Sequence, residues 1–202
     1  MDANRHLFFE GKAAGPQIEF VDLGLSVKWG NANLGATNGD TAESWYGNYY
    51  AWGETETKTN YEWSNYEFGA SQPFSKYDSD GKTVLESDDD IAYKTNSAWR
   101  MPTNKDFEEL IALPNEWVTN YNKISGLNGR VFTGKNGKTL FIPAAGSRNG
   151  SDFFSVGSGC DLWSSSLNSY NHGTAYHLDI YSNNVRMEYH SRILGFSVRP
   201  IC

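Results

Sequence analysis

The side chains able to do chemistry are unevenly spread along this 202-residue chain. Between Asn149 and Leu194, 46 positions hold five Asn, nine Ser, four Tyr, three Asp and three His, and no Lys follows Lys138. Acidic soluble proteins normally scatter Lys over the whole surface. Three of the four His of the chain, His172, His177 and His190, fall in this stretch. Large side chains stand among the small polar ones: Phe153-Phe154, Tyr170, Tyr181, Tyr189 and Ile193-Leu194. Tyr supplies contact area at low entropy cost, and Ser, Gly and Asn supply adaptable hydrogen bonding, so this is the composition of a binding surface.

Catalytic and metal-ligating patterns are weak by comparison. Glu54 and Glu56 beside Trp52 could form a carboxylate pair for sugar hydrolysis, but nearness in sequence does not set the required separation. Asp78-Ser79-Asp80-Gly81 is half of a calcium loop with Lys76 at the first ligand position and Ser87 at the last, and reads as a turn. Glu86 to Asp90 reads as a solvated acidic cluster. No phosphate loop, dinucleotide fingerprint, zinc-protease helix or Gly-x-Ser-x-Gly elbow occurs. No His has metal-ligand spacing to a second His or Cys. The expectation is no catalytic residue, no metal and no cofactor. Cys160 and Cys202 are too few for a disulfide scaffold or a four-thiolate zinc site. Both read as free thiols, with Cys202 frayed.

The elements that must position the binding residues follow from composition and periodicity. At 22.6 kDa, with 39% hydrophobic and 15% aromatic residues, the chain can bury the core of one domain. A formal charge of −7 and a pI near 5.1 argue against a nucleic-acid binder and against docking on anionic membranes, and no apolar run spans a bilayer. Residues 1–18 read as a lead-in or linker without an apolar signal core, and residues 19–202 as the domain. Helices are expected at Thr41–Trp45 and at Thr103–Pro114, where Thr103 caps, Asp106 completes a box, Phe107, Leu110 and Ile111 share a face, and Pro114 ends the helix. A strand over Gly126–Phe132 enters a hairpin through Gly134–Gly137, where Asn136-Gly137 reads as a two-residue turn, and Lys138–Pro143 returns. In Ala175–Tyr181, Tyr176, Leu178 and Ile180 share one face and His177, Asp179 and Tyr181 the other. A turn at Asn183-Asn184, a strand with Val185 and Met187 apolar, and a final strand over Gly195–Pro200 follow. The class is α+β.

The order of these segments carries a family resemblance. Val21-Asp22-Leu23-Gly24-Leu25-Ser26-Val27-Lys28-Trp29, Asn33-Leu34-Gly35-Ala36 and Tyr50-Ala51-Trp52-Gly53-Glu54-Thr55 resemble the start of a bacterial C-type-lectin-like domain. So do Lys82-Thr83-Val84-Leu85, Asp89-Asp90-Ile91-Ala92 and Trp99-Arg100-Met101-Pro102-Thr103. Ile142-Pro143-Ala144-Ala145-Gly146, Leu162-Trp163-Ser164-Ser165 and Gly195-Phe196-Ser197-Val198-Arg199-Pro200 resemble the variable proteins of diversity-generating retroelements, on the formylglycine-generating-enzyme branch of that fold. The resemblance covers about residues 19–202.

It implies a C-type-lectin-like fold of small antiparallel sheets, two short helices and long turn-rich loops, with a variable region at about 147–194. In such systems a reverse transcriptase copies a template repeat and misreads adenines, and the copy replaces the 3′ end of the gene. Asn codons then become Ser, Tyr, Asp, His and others, but not Lys, Glu, Trp or Met. Glu188 departs from that rule and is left out of the site. The implied variable, ligand-binding positions are Asp152, Phe153, Phe154 and Ser155; Cys160, Asp161 and Leu162; Tyr170 and His172; His177, Asp179 and Tyr181; and Arg186, Tyr189, His190, Ser191, Ile193 and Leu194. Trp163, Leu178, Ile180, Val185, Met187 and Phe196 are scaffold. The implied function is non-enzymatic binding of a protein or glycan on a cell surface, from a phage virion (tail-associated) or a bacterial cell surface. No nucleic acid or membrane insertion is involved, and oligomerisation is left open. Formylglycine-generating activity is not implied, because it needs a suitably placed cysteine pair. Nor is calcium-dependent sugar binding, because no Glu-Pro-Asn-like triplet is present. The alternative is a non-diversified bacterial surface module of the same fold, binding carbohydrate or protein.

Overall fold

The computed structural model describes residues 18–202, so all of the expected lead-in except Ile18 lies outside the described residues. The fold is mixed α/β, built mostly of small antiparallel sheets. β1 (Phe20–Val21) pairs with β2 (Trp29–Gly30). A long loop region follows, with 3₁₀ turns at Glu43–Trp45, Trp63–Asn65 and Ser87–Asp89. Next come α1 (Ile91–Thr95) and α2 (Asn104–Ile111). β3 (Asn115–Val118), β4 (Gly129–Thr133) and β5 (Thr139–Pro143) form one antiparallel sheet, and β6 (Ser147–Asn149) and β7 (Asp152–Phe154) a ribbon. β8 (Gly159–Leu167), β9 (Thr174–Tyr181) and β10 (Asn184–Ser191) form the second three-stranded sheet, with β9 in the centre.

Local chemistry accounts for the helices. Thr103 Oγ1 accepts from the Asp106 N–H at 3.3 Å, and Asp106 Oδ2 accepts from the Thr103 N–H at 2.8 Å, a reciprocal capping box. Such a cap stabilises a helix by about 1 kcal/mol. Phe107 and Leu110 are fully buried from α2. The expected helix at Thr41–Trp45 is a single 3₁₀ turn. α1 has only five residues, too few to show periodicity. It is set by Asp90, whose Oδ1 accepts from the Ala92 and Tyr93 N–H groups while Oδ2 accepts from the Met101 N–H. Asp89 is likewise buried and bonds Lys76 and the Tyr77 hydroxyl. The expected solvated cluster is therefore half structural: its last two carboxylates hold backbone and side-chain donors that would otherwise be buried unpaired.

The β4–β5 hairpin is where the sequence places it, but its turn differs. Gly137 alone has a positive φ (79°), the Gly137 N–H donates to Gly134 C=O, and Gly134 N–H donates to Lys138 C=O. A two-residue type I′ turn needs positive φ at both central residues. Asn136 does not supply it, so the loop takes a third residue ending in glycine. The β9–β10 turn is at Ser182-Asn183, one residue before its expected place, because Asn184 already pairs with Tyr181.

The final strand is not a ladder. Gly195–Cys202 runs extended, and its hydrogen bonds are divided among Arg148, Tyr50, Asp161, Trp163, Leu34, Gly30, Arg100 and Lys28. With a new neighbour every residue or two, only isolated bridges form. Cys202 is not frayed: its N–H and C=O both pair with Lys28.

The β8–β10 sheet separates two hydrophobic cores. Cys160, Leu162, Leu178 and Ile180 face one, which contains Phe107 and Leu110 of α2 together with Trp29, Phe132 and Ile201. Trp163 and Ala175 face the other, with Trp52, Tyr61, Tyr66, Tyr77 and Phe196. Two arginines are buried whole. Arg199 donates to Asn33 Oδ1 and to the Gly30 and Phe141 carbonyls, and burial pulls its guanidinium down to about 10. Arg192, just after β10, donates to the Tyr66 hydroxyl and to the Lys76, Tyr77 and His172 carbonyls, inside a cage that includes Trp52, Phe68 and Phe74. It ties the long loops to the sheet.

Candidate functional site

The face of the sheet opposite α2 carries a cleft of about 580 Å³. Its register explains its chemistry. Asp161, Asp179 and Arg186 stand side by side across the three strands, and Trp163, His177 and Glu188 form the next row. Tyr181 lies opposite Gly159, and its ring lies against the space a Cβ there would occupy. The side walls come from the β6–β7 hairpin, whose two-residue loop has Gly150 at its first central position with φ 58°. Ser155 follows in the left-handed region (φ 57°), uncommon for a residue with a Cβ, which puts its Oγ 3.1 Å from the Tyr181 hydroxyl. Phe196 closes the floor, its ring centroid 4.9 Å from His177 and 4.2 Å from Trp163.

The charged groups are closely coupled. Arg186 Nε lies 3.3 Å from Asp179 Oδ2 and 2.8 Å from Glu188 Oε1. His177 Nδ1 lies 3.1 Å from Asp161 Oδ1, yet off the hydrogen-bonding direction, and has no hydrogen-bond partner. Burial, then repulsion from Asp161, holds the Asp179 carboxyl above the usual carboxylate range. Burial, then the neighbouring His177, holds His190 below the usual imidazole value. His190 Nδ1 accepts from the Ser191 N–H at 2.8 Å, which leaves the ring proton on Nε2. No Ser, Thr or Cys side chain among the described residues bonds either imidazole, and no three His, Cys, Asp or Glu among them converge as metal ligands.

Ten of the eighteen expected binding residues line this cleft: Phe154, Ser155, Asp161, His177, Asp179, Tyr181, Arg186, Tyr189, His190 and Leu194. Phe153 flanks it, 57% exposed, with the Arg148 guanidinium 4.5 Å from its ring centroid and Tyr49 edge-on. Asp152 is exposed beside it on β7. Cys160 and Leu162 are corrected. Both are fully buried on the α2 side, because alternation along β8 turns them away from the cleft that Asp161 enters. Tyr170 and His172 lie apart, in the β8–β9 loop: Tyr170 is exposed, and His172 Nδ1 is 2.9 Å from Asp78 Oδ1. Ser191 and Ile193 pack at the end of β10 without reaching the cleft. The expected outward row of His177, Asp179 and Tyr181 is present, but His177 and Asp179 are 3% and 7% exposed, because the hairpin and Phe196 enclose them.

Sequence reasoning missed Ser147, Arg148 and Asn149 of β6, which reach the cleft only through tertiary packing. It also set aside Glu188, whose place two residues from Arg186 puts it on the same face. Phe196, expected as scaffold, is both scaffold and floor. The other carboxylate candidates do not form a site. Glu54 is buried against Lys58 and the Glu67 N–H while Glu56 is exposed, and Asp78 and Asp80 bond backbone N–H groups of their own loop. Compared with family models, with curated proteins and with solved structures, the chain matches none.

Proposed function

We propose that the chain is a non-enzymatic binding protein of C-type-lectin-like fold, and that its binding face, the cleft with its hairpin wall, is diversified by adenine-directed copying of a template repeat. The observation that carries this reading is the placement of exposed aromatics. Six of the eight large apolar side chains exposed among the described residues fall between Phe153 and Tyr189, and Phe154, Tyr181 and Tyr189 rim a polar cleft. Aromatic anchors in a polar surround are where binding free energy concentrates. The partition of the fold supports it too: side chains on the cleft face change without repacking the core against α2. The ligand would be a protein or glycan on a cell surface, met from a phage virion or a bacterial surface.

Sequencing the DNA downstream of the gene tests this. The expected result is a near-copy of the segment encoding about residues 145–200, beside a reverse-transcriptase gene. It should differ almost only at adenines in codons for cleft-facing residues such as Phe154, Asp161, Tyr181, Tyr189 and His190, and should leave Cys160 and Leu162 unchanged. Finding neither repeat nor reverse transcriptase overturns diversification. A fixed surface module is then favoured by one observation, the close Arg186–Glu188 ion pair on the cleft face, which a change at either partner would break.

A further inference from the structure

The cleft's own donors do not satisfy its acceptors. Asp161 and Asp179 stand directly opposite on β8 and β9, with side chains 13% and 10% exposed. Neither carboxylate accepts a hydrogen bond from another described residue within good geometry; the Arg186 contact at 3.3 Å is shared with a closer Glu188. His177, 3% exposed and facing the cleft, leaves Nδ1 without a hydrogen-bond partner. Directly opposed like charges destabilise an antiparallel pair, and buried carboxylates ordinarily find donors. Among the described residues that line the cleft, three carboxylates, Asp161, Asp179 and Glu188, face two guanidiniums and the imidazoles of His177 and His190. One of these, Arg148, already donates to the Lys58, Thr59 and Ser151 carbonyls. Among the described residues the cleft is short of one fixed positive charge, the N–H groups it holds do not bond Asp161 or Asp179, and its rim is aromatic.

We propose that the cleft receives a cationic side chain of a protein partner, an ammonium or guanidinium on an alkyl stem. Its N–H groups would bond Asp161 and Asp179, and its stem would lie on Phe154, Tyr181 and Tyr189. The inference deepens the binding reading above and rests on it for the choice of this face as the contact surface. A neutral sugar supplies hydroxyl donors but leaves the Asp161–Asp179 repulsion unrelieved. A cation removes both deficits and gains attraction to the aromatic faces. The net charge of −7 steers cationic partners toward the chain.

The test is an NMR titration of the ¹⁵N-labelled full chain with N-acetyl-lysine methylamide and N-acetyl-arginine methylamide. N-acetyl-norleucine methylamide and a methyl glucoside serve as uncharged controls. At least one cationic probe should give saturable shifts on β8–β10 amides with a Kd of about 1 mM, the affinity expected of a probe this small. Asp161→Asn should bind it at least tenfold more weakly, and the controls should not saturate. Because Asp161→Asn relieves like-charge repulsion, its Tm should equal or exceed the parent's. Absence of saturation by both cations, equal binding of a control, undiminished binding by Asp161→Asn, or a lowered Tm in that variant overturns the proposal. The probes act on the chain as it is. A locus without a template repeat therefore overturns diversification and leaves the cation site standing, and failed titrations do the reverse.

Discussion

Asp179 has a carboxylate on one side of it across the sheet, Asp161, and a guanidinium on the other, Arg186. Burial, then Asp161, raises its folded-state pKa. A raised carboxyl pKa means that folding disfavours the charged form. The associated stability is fully present below the unfolded value of about 3.9 and is lost as pH rises through the folded value. Asp179→Asn should therefore be more stable than the parent at neutral pH, with Arg186 still held by Glu188. A gain of about 1 kcal/mol would raise Tm by about 2–4 °C, shrinking toward pH 4. Thermal denaturation at several pH values checks this, and a variant less stable than the parent at neutral pH would mean that the Arg186 contact outweighs the repulsion. The sequence made His177, Asp179 and Tyr181 legible as one face because strand side chains alternate. Cys160 and Leu162, placed on the binding face by resemblance, lie on the face opposite Asp161, and β8, buried on both faces, has no polar–apolar alternation to mark it.

At the scale of elements, two glycines that pack behind cleft-lining residues show which parts yield. A Cβ at Gly159 would meet the Tyr181 ring at 2.6 Å, the end of a rim side chain able to swing away. A Cβ at Gly146 (φ 68°) would meet the Phe154 carbonyl at 2.2 Å, in the backbone of β7. Gly159→Ala should displace Tyr181 from the rim and break its contact with Ser155 while leaving Tm within about 2 °C, because the ring it meets can turn aside at a cost of about 0.5 kcal/mol. Gly146→Ala should lower stability by several-fold more, because both its dihedral and its neighbour are fixed. Denaturation curves of the two variants decide it, and similar losses would place Tyr181 among the structural residues. Elements with a complete local signal were legible: α2 through its capping box and apolar face, and the β4–β5 hairpin through its glycine. α1 was not, because five residues give no period, nor was the end of the chain, whose partners come from six separate segments.

At the scale of the molecule, the β8–β10 sheet is a wall between two environments, and the cleft is assembled from segments no local pattern connects. Arg148, Phe196 and the strand residues meet only after the hairpin and the C-terminal segment close over the sheet. The same wall gives the two free thiols different exposure. Cys202 is exposed; Cys160 lies under α2, and burial, then Asp161, pushes it up to about 12. Since only an accessible thiolate reacts, a chromogenic disulfide should modify one thiol promptly and the second only when β8 parts from α2. Two equally fast phases would contradict the burial of Cys160. Cys160 thus acts as an internal clock: the lag before its modification times how often the core behind the cleft opens, whatever ligand is bound in front.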